Sequence, residues 1–94
     1  MISAARMLRK ARALIESGWV KNPRSETAAC AVNAICVAAH DAQRFETALG
    51  FLKKATGKQT MLDVIQWNDD PATTKADVLA GFDQAIELAT RSPQ

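Results

Sequence analysis

The chain has 94 residues, a formal charge of +2, no tyrosine and only five other aromatic residues among many alanines. That length suits one domain with a modest core, and abundant small residues favour closely packed helices over a sheet. No apolar run approaches the roughly 20 residues that cross a bilayer, which excludes a membrane-spanning helix. The charge is uneven. Residues 1–58 carry ten Lys and Arg against four Asp and Glu, whereas residues 59–94 carry two against six. A basic front and an acidic back imply neutralisation within one chain or head-to-tail pairing with a copy.

The first helix is expected from Ser3, as N-cap, to Ser17. Ala4, Met7, Leu8, Ala11, Leu14 and Ile15 form its apolar stripe, with Arg6, Arg9, Lys10 and Arg12 opposite. Gly18 suits a left-handed stop, with Trp19 folded back onto Leu14 as in a Schellman motif. Lys21-Asn22-Pro23-Arg24 reads as a connector. A second helix is expected to start near Ser25, with Glu26 in its first turn. It is apolar nearly all round from Ala28 to Ala39, which places it at the centre of the bundle. Asn33 is its one polar member and is expected to hydrogen-bond across the core.

A third helix spans about Ala42 to Ala55, with Phe45, Ala48, Leu49, Leu52 and Ala55 on one stripe and Gly57 as its stop. Thr60 and Asp63 form a capping pair for a short fourth helix carrying Met61, Leu62, Val64, Ile65 and Trp67. The last helix, about Lys75 to Thr90, buries Val78, Leu79, Phe82, Ala85, Ile86 and Ala89, with Asp77, Asp83, Gln84 and Glu87 on its other face. Ser92-Pro93-Gln94 reads as a frayed tail. Nothing reads as a strand. The expected fold is an all-α bundle of four to five helices in one domain, residues 1–94.

The most oxygen-rich stretch is Gln66-Trp67-Asn68-Asp69-Asp70-Pro71-Ala72-Thr73-Thr74-Lys75-Ala76-Asp77. Asn68, Asp69, Asp70 and Asp77 could be weighed as ligands for a divalent cation. Calcium, however, takes six to eight oxygens from alternating positions around a glycine turn, and here the acids are consecutive with no glycine. The helix-junction reading explains more: Asn68 caps the fourth helix or forms an Asx turn, and Asp70 is held extended by Pro71. Thr74 or Thr73 caps the last helix, with Asp77 completing the box. Asp69 is the residue that reading leaves for a surface contact.

Cys36 and His40 stand at i and i+4, the spacing of two ligands on one helical face or of a nucleophile and its base. A zinc site would need Asp41 or Asp63 to supply its remaining ligands, and no third group is placed to orient the imidazole. A buried alanine-rich helix also uses cysteine as a small hydrophobe. Cys30 and Cys36 lie about 240° apart around the helix and cannot pair with each other. Unpaired thiols, with no basic-apolar leader at the N-terminus, point to the cytoplasm. Serine-nucleophile motifs, phosphate-cradling glycine loops and paired catalytic glutamates do not occur, so neither catalytic residues nor cofactors are expected.

Three segments carry a resemblance: "LIESGW" at 14–19, "CVAAH" at 36–40 and "WNDDPATTKADVLAGFDQAI" at 67–86. Together they resemble a family of small uncharacterised proteins of actinobacterial and phage genomes. Its members share a Gly-Trp after the first helix, a Cys in the second and a Trp-Asn-Asp…Thr…Val-Leu segment near the C-terminus. This chain departs in Ala38, where that family has glycine, and in a shorter connector after Trp19. The resemblance implies a bacterial or phage accessory protein and no particular activity.

The resulting expectation is a non-enzymatic protein-binding module, in its narrowest form an inhibitor of a host defence complex. The partner would contact the basic face at Arg6, Arg9, Lys10 and Arg12 or the acidic face at Asp69, Asp77, Asp83 and Glu87. The alternative is a nucleic-acid-binding regulator using the basic face, extended by Lys53, Lys54 and Lys58. A helix-turn-helix reader fits poorly, because the Trp67–Thr74 connection is too long and the helix after it is acidic. Homodimerisation by basic-to-acidic docking is compatible with either.

Overall fold

A computed structural model describes residues 3–19 and 30–91. The described residues form five α-helices and an all-α bundle: α1 Ala4–Gly18, α2 Ala31–Ala39, α3 Ala42–Thr56, α4 Met61–Asp69 and α5 Lys75–Arg91. The 21–24 connector, the start of the second helix at Ser25 and Glu26, its stretch before Cys30, and the 92–94 tail lie outside the described residues.

The helix starts follow from local side-chain chemistry. Ser3 Oγ accepts the Arg6 N–H at 3.2 Å, Asp41 Oδ1 accepts that of Arg44 at 2.8 Å, and Thr60 Oγ1 accepts that of Asp63 at 3.1 Å. Each occupies one of the four amides that the first turn leaves without an intrahelical acceptor. The Arg44 N–H, followed by the charge of its guanidinium, holds the Asp41 carboxyl below its usual range. α5 starts with a complete capping box, the Asp77 N–H donating to Thr74 Oγ1 at 3.1 Å and the Thr74 N–H to Asp77 Oδ2 at 2.9 Å.

Between α4 and α5 the chain turns at Asp70-Pro71-Ala72-Thr73, closed by Thr73 N–H to Asp70 O at 3.0 Å. Asp70 is extended (φ −60°, ψ 132°), as the following proline requires, and its Oδ1 accepts the Ala72 N–H at 2.8 Å. The left-handed stop lies at Gly57 (φ 72°, ψ 21°), where Lys58 N–H reaches Lys53 O and Gly57 N–H reaches Lys54 O. That is the Schellman pattern. At Gly18, where the same motif is expected, α1 instead stays helical, and Trp19 leaves it in an extended conformation (φ −70°, ψ 138°). The Schellman stop expected at Gly18 is therefore absent, and Trp19 is half-buried against the core.

The core draws on every helix. α1 buries Ala4, Met7, Leu8, Ala11 and Ile15, and α5 buries Val78, Phe82, Ala85 and Ala89. α1 packs most extensively on α5, then on α2, while α3 packs on α5. Alanines at the contacts allow the axes to approach closely, and Phe82, Leu8, Ile15, Ile35 and Leu52 fill the space between. The expected all-round burial of α2 holds for one face only. Ala31, Ala34, Ile35, Ala38 and Ala39 are buried, whereas Cys36 is exposed and Val37 is 57% exposed. Cys36 is thus a surface thiol, not a core hydrophobe. Cys30 is the N-cap residue of α2, its Sγ accepting the Asn33 N–H at 3.4 Å.

α2 and α3 are joined by His40 and Asp41 alone. His40 has φ 70°, ψ −38°, and the Asp41 N–H bonds Ala39 O at 2.8 Å across it, a γ-turn of the strained, positive-φ kind. Such a conformation costs a residue with a Cβ about 1–3 kcal/mol. Glycine removes that strain but adds about 0.4–1 kcal/mol of unfolded-state entropy. We therefore expect His40→Gly to stabilise the protein by about 1 kcal/mol in urea denaturation, with His40→Ala giving no gain because it keeps the Cβ.

Candidate functional site

Three helix ends meet at one buried side chain. Asn68, one turn after the buried Val64 on the inner face of α4, is fully buried. Its Oδ1 accepts the Trp19 Nε1–H at 2.7 Å and the Ala31 backbone N–H at 3.0 Å, and its Nδ2 donates to Asp69 Oδ1 at 3.1 Å. One oxygen thus joins the end of α1, the first turn of α2 and the last turn of α4. The start of α5 is tied to the end of α1 as well, where Lys75 Nζ donates to Glu16 O at 2.6 Å in the last turn of α1. A lysine at a helix C-terminus satisfies an orphan carbonyl and complements the dipole.

Several expectations change here. The asparagine buried in the core is Asn68, while Asn33 is only half-buried. Asn68 neither caps α4 nor forms an Asx turn; it is inside the helix with its side chain turned inward. Asp69 is not an exposed contact residue: it is half-buried and holds the Asn68 amide. The oxygens weighed for a divalent cation are engaged separately, Asn68 with two N–H donors, Asp70 with its turn and Asp77 with the Thr74 box. Among the described residues no group of three or more His, Cys, Asp or Glu side chains is placed to hold a metal ion. Cys36 and His40 are both exposed, and His40 lies beyond the last turn of α2 in the γ-turn.

The charged faces divide in the same way. Arg12 forks onto Asp83, Nε to Oδ1 at 2.6 Å and Nη2 to Oδ2 at 3.4 Å, and also reaches Glu16 at 3.1 Å. The Asp83 hydrogen bond raises the pKa of a guanidinium that is charged at any accessible pH. The basic front and acidic back therefore meet within one molecule at the α1–α5 contact. Asp77 is engaged in its cap and Glu87 pairs with Arg91 at 2.6 Å. Arg6, Arg9 and Lys10 are exposed and enter no ion pair among the described residues.

Trp67 is half-buried against the core, and its ring lies on Gly81 of α5. A Cβ at position 81 would stand 3.1 Å from Trp67 Cη2 and 3.3 Å from Thr56 Cγ2, so the approach of α4 and α3 to α5 requires glycine here. On one side of the indole is an open hollow of about 460 Å³, with Lys58, Asp63, Gln66 and Asp70 on its walls. On the other is one of about 330 Å³ between Thr56, Asp77, Ala80 and Gln84. Sequence reasoning placed Trp67 among the apolar residues of the fourth helix. The hollows beside it were not legible, because they arise where α3 and α5, distant in sequence, come together.

Trp19→Phe keeps the ring and removes the donor to Asn68. It should cost about 1 kcal/mol in urea unfolding, the net value of one hydrogen bond. Asn68→Leu leaves two donors facing an apolar side chain and should cost about 2–4 kcal/mol. The double variant should cost less than the sum of the two, because the Trp19–Asn68 bond can be lost only once.

The comparisons with characterised proteins and with solved structures return no match. The two motifs joined at Asn68, Gly18-Trp19 and Trp67-Asn68-Asp69, both fall inside a match to the model of a family of unknown function, DUF6197, which spans residues 1–88. A match over that much of the chain shows that the protein belongs to this family.

Proposed function

We propose that this protein is a non-enzymatic binding module whose outer α1 face docks on an acidic surface of a partner protein. The observation that carries the reading is the isolation of Arg6, Arg9 and Lys10. They lie within about 100° of arc on one helix, exposed and in no ion pair among the described residues, while their neighbour Arg12 is engaged by Asp83. The helix beneath them is anchored by its whole inner face, so the three cations are held at fixed spacing. That geometry favours recognition of a patterned carboxylate surface.

Nucleic acid is the weaker candidate on number of charges. Three phosphate contacts give a salt slope of only about −2.7, against the 6–10 contacts of proteins that hold DNA firmly. Two free thiols, one of them exposed on Cys36, suit a reducing compartment such as the cytoplasm. The narrowest form of the reading is a phage or mobile-element accessory protein that inhibits a host defence complex. Its support is the sequence resemblance, not any residue's geometry.

The test is capture of a partner by the wild-type protein and by Arg6→Glu/Arg9→Glu/Lys10→Glu, with Gln43→Glu/Thr47→Glu on α3 as control. We expect the same protein to be captured by wild type and control and lost from the triple variant. Equal capture by all three would remove α1 as the docking face. Binding to DNA or RNA with a salt slope near −6 or steeper would favour the nucleic-acid reading instead.

A further inference from the structure

The hollow of about 460 Å³ beside Trp67 holds opposite charges that do not pair with each other. It lies between the α3–α4 turn and one face of α4, with Lys58, Gln59, Asp63, Gln66, Trp67 and Asp70 on its walls. On α4, Asp63, Gln66, Trp67 and Asp70 stand at i, i+3, i+4 and i+7, so they form one stripe within about 100° of arc. The two carboxyl-bearing positions are about 10 Å apart along the helix axis, with the indole between them. Lys58 enters from the turn, where the left-handed Gly57 stop and the Lys58 N–H bond to Lys53 O at 2.9 Å hold its backbone. Lys58 and Asp63 are each half-buried, yet neither enters an ion pair among the described residues.

A volume of that size falls within the roughly 300–1,000 Å³ of small-molecule sites, which combine an apolar wall with a few convergent polar groups. Here the apolar wall is one indole, seated on Gly81, and the polar groups are a cation, carboxylates and two primary amides. A ligand with a single charge would meet one attractive and one repulsive wall, so the wall selects a molecule that carries both signs. A planar guanidinium is the cation that such a wall suits best. It stacks on an indole, forks onto a carboxylate and gives up its weak hydration more readily than an ammonium. From this juxtaposition we propose that the hollow binds a small guanidino carboxylate, free arginine in the simplest case. The guanidinium lies against Trp67 and pairs with Asp63, the ligand carboxylate takes Lys58, and Gln59 and Gln66 supply hydrogen bonds. The site is separate from the outer α1 face, and Arg6, Arg9 and Lys10 take no part in it.

Titration of the full chain with L-arginine, followed by NMR of the two indole N–H groups, tests this. The Trp67 signal should shift saturably, while that of Trp19, bonded to Asn68, stays in place. An open hollow and a ligand of this size give a dissociation constant on the order of 1 mM. Citrulline, which lacks the cationic charge, and agmatine, which lacks the carboxylate, should each bind about fivefold more weakly, the worth of one exposed ion pair. Lys58→Met should weaken arginine about fivefold without weakening agmatine, whereas Asp63→Asn should weaken both. Urea unfolding of the two variants should match the wild type, since neither side chain belongs to the core. No saturable shift of Trp67, equal affinity for citrulline and arginine, or affinity indifferent to both substitutions would each overturn the proposal. Such a failure would leave the docking role of α1 standing, because partner capture is read on different residues.

Discussion

The carbonyl oxygen of Asn68 is the constraint on which the arrangement of helices depends. It has two lone pairs, and both are occupied, by an indole N–H from the end of α1 and a backbone N–H from the start of α2. In a core built mainly of Ala, Val, Leu, Ile, Met and Phe, an oxygen with those donors in place costs little, and without them it would cost about 1–3 kcal/mol. Apolar packing between alanine-rich helices tolerates sliding, because small side chains interlock weakly. A buried acceptor with two fixed donors does not, so it sets the register of α4 against α1 and α2. The orientation of the amide is set in turn by Asp69, which accepts from Nδ2. The Trp-Asn-Asp run therefore has three linked roles: an indole on α5, an oxygen in the core and a carboxylate that fixes that oxygen's direction.

With that register in place, the placement of charge follows. α1 lies on α5 with Arg12 level with Asp83 and with Lys75 at its last carbonyls. These contacts absorb one edge of the basic face and leave Arg6, Arg9 and Lys10 on the side turned to solvent. The opposed balances of the two halves of the chain are thus resolved only in part within one molecule. The unresolved part has a direction: Arg6, Arg9 and Lys10 are exposed on the outer side of α1. A protein whose charges were all paired internally would have no such asymmetry to present to a partner.

What the sequence makes legible is what is decided within three or four residues. Ser3, Thr60 and the Thr74–Asp77 box are caps because their side chains reach an amide three positions away, and Pro71 fixes the residue before it wherever it occurs. The two glycines at helix ends show where that logic stops. Gly57 and Gly18 have similar surroundings in sequence, yet only Gly57 takes the left-handed stop. The end of α1 has other means: Lys75, 59 residues away, reaches a carbonyl, and Trp19 is drawn to Asn68, 49 residues away. Asn68 was misread for the same reason. Next to acids and a proline an asparagine resembles turn chemistry, and only the approach of α1 and α2 makes its inward rotamer favourable. The candidate cations Arg6, Arg9 and Lys10 could be read from helical periodicity alone. The engagement of Arg12, Asp69 and Asp83 could not.

Gly81 connects this framework to the surface that the fold presents. Its missing side chain lets the Trp67 ring lie against α5 while the backbone of Trp67 remains in the same short helix that positions Asn68. The indole and the asparagine are neighbours on α4 and face different contacts, one the α5–α3 seam and the other the α1–α2 ends. A change in the seating of either shifts the pitch of a nine-residue helix that has few other buried anchors, since Met61 and Leu62 at its start are 45% and 60% exposed. The hollows beside Trp67 are therefore walled by the same short helix that carries Asn68.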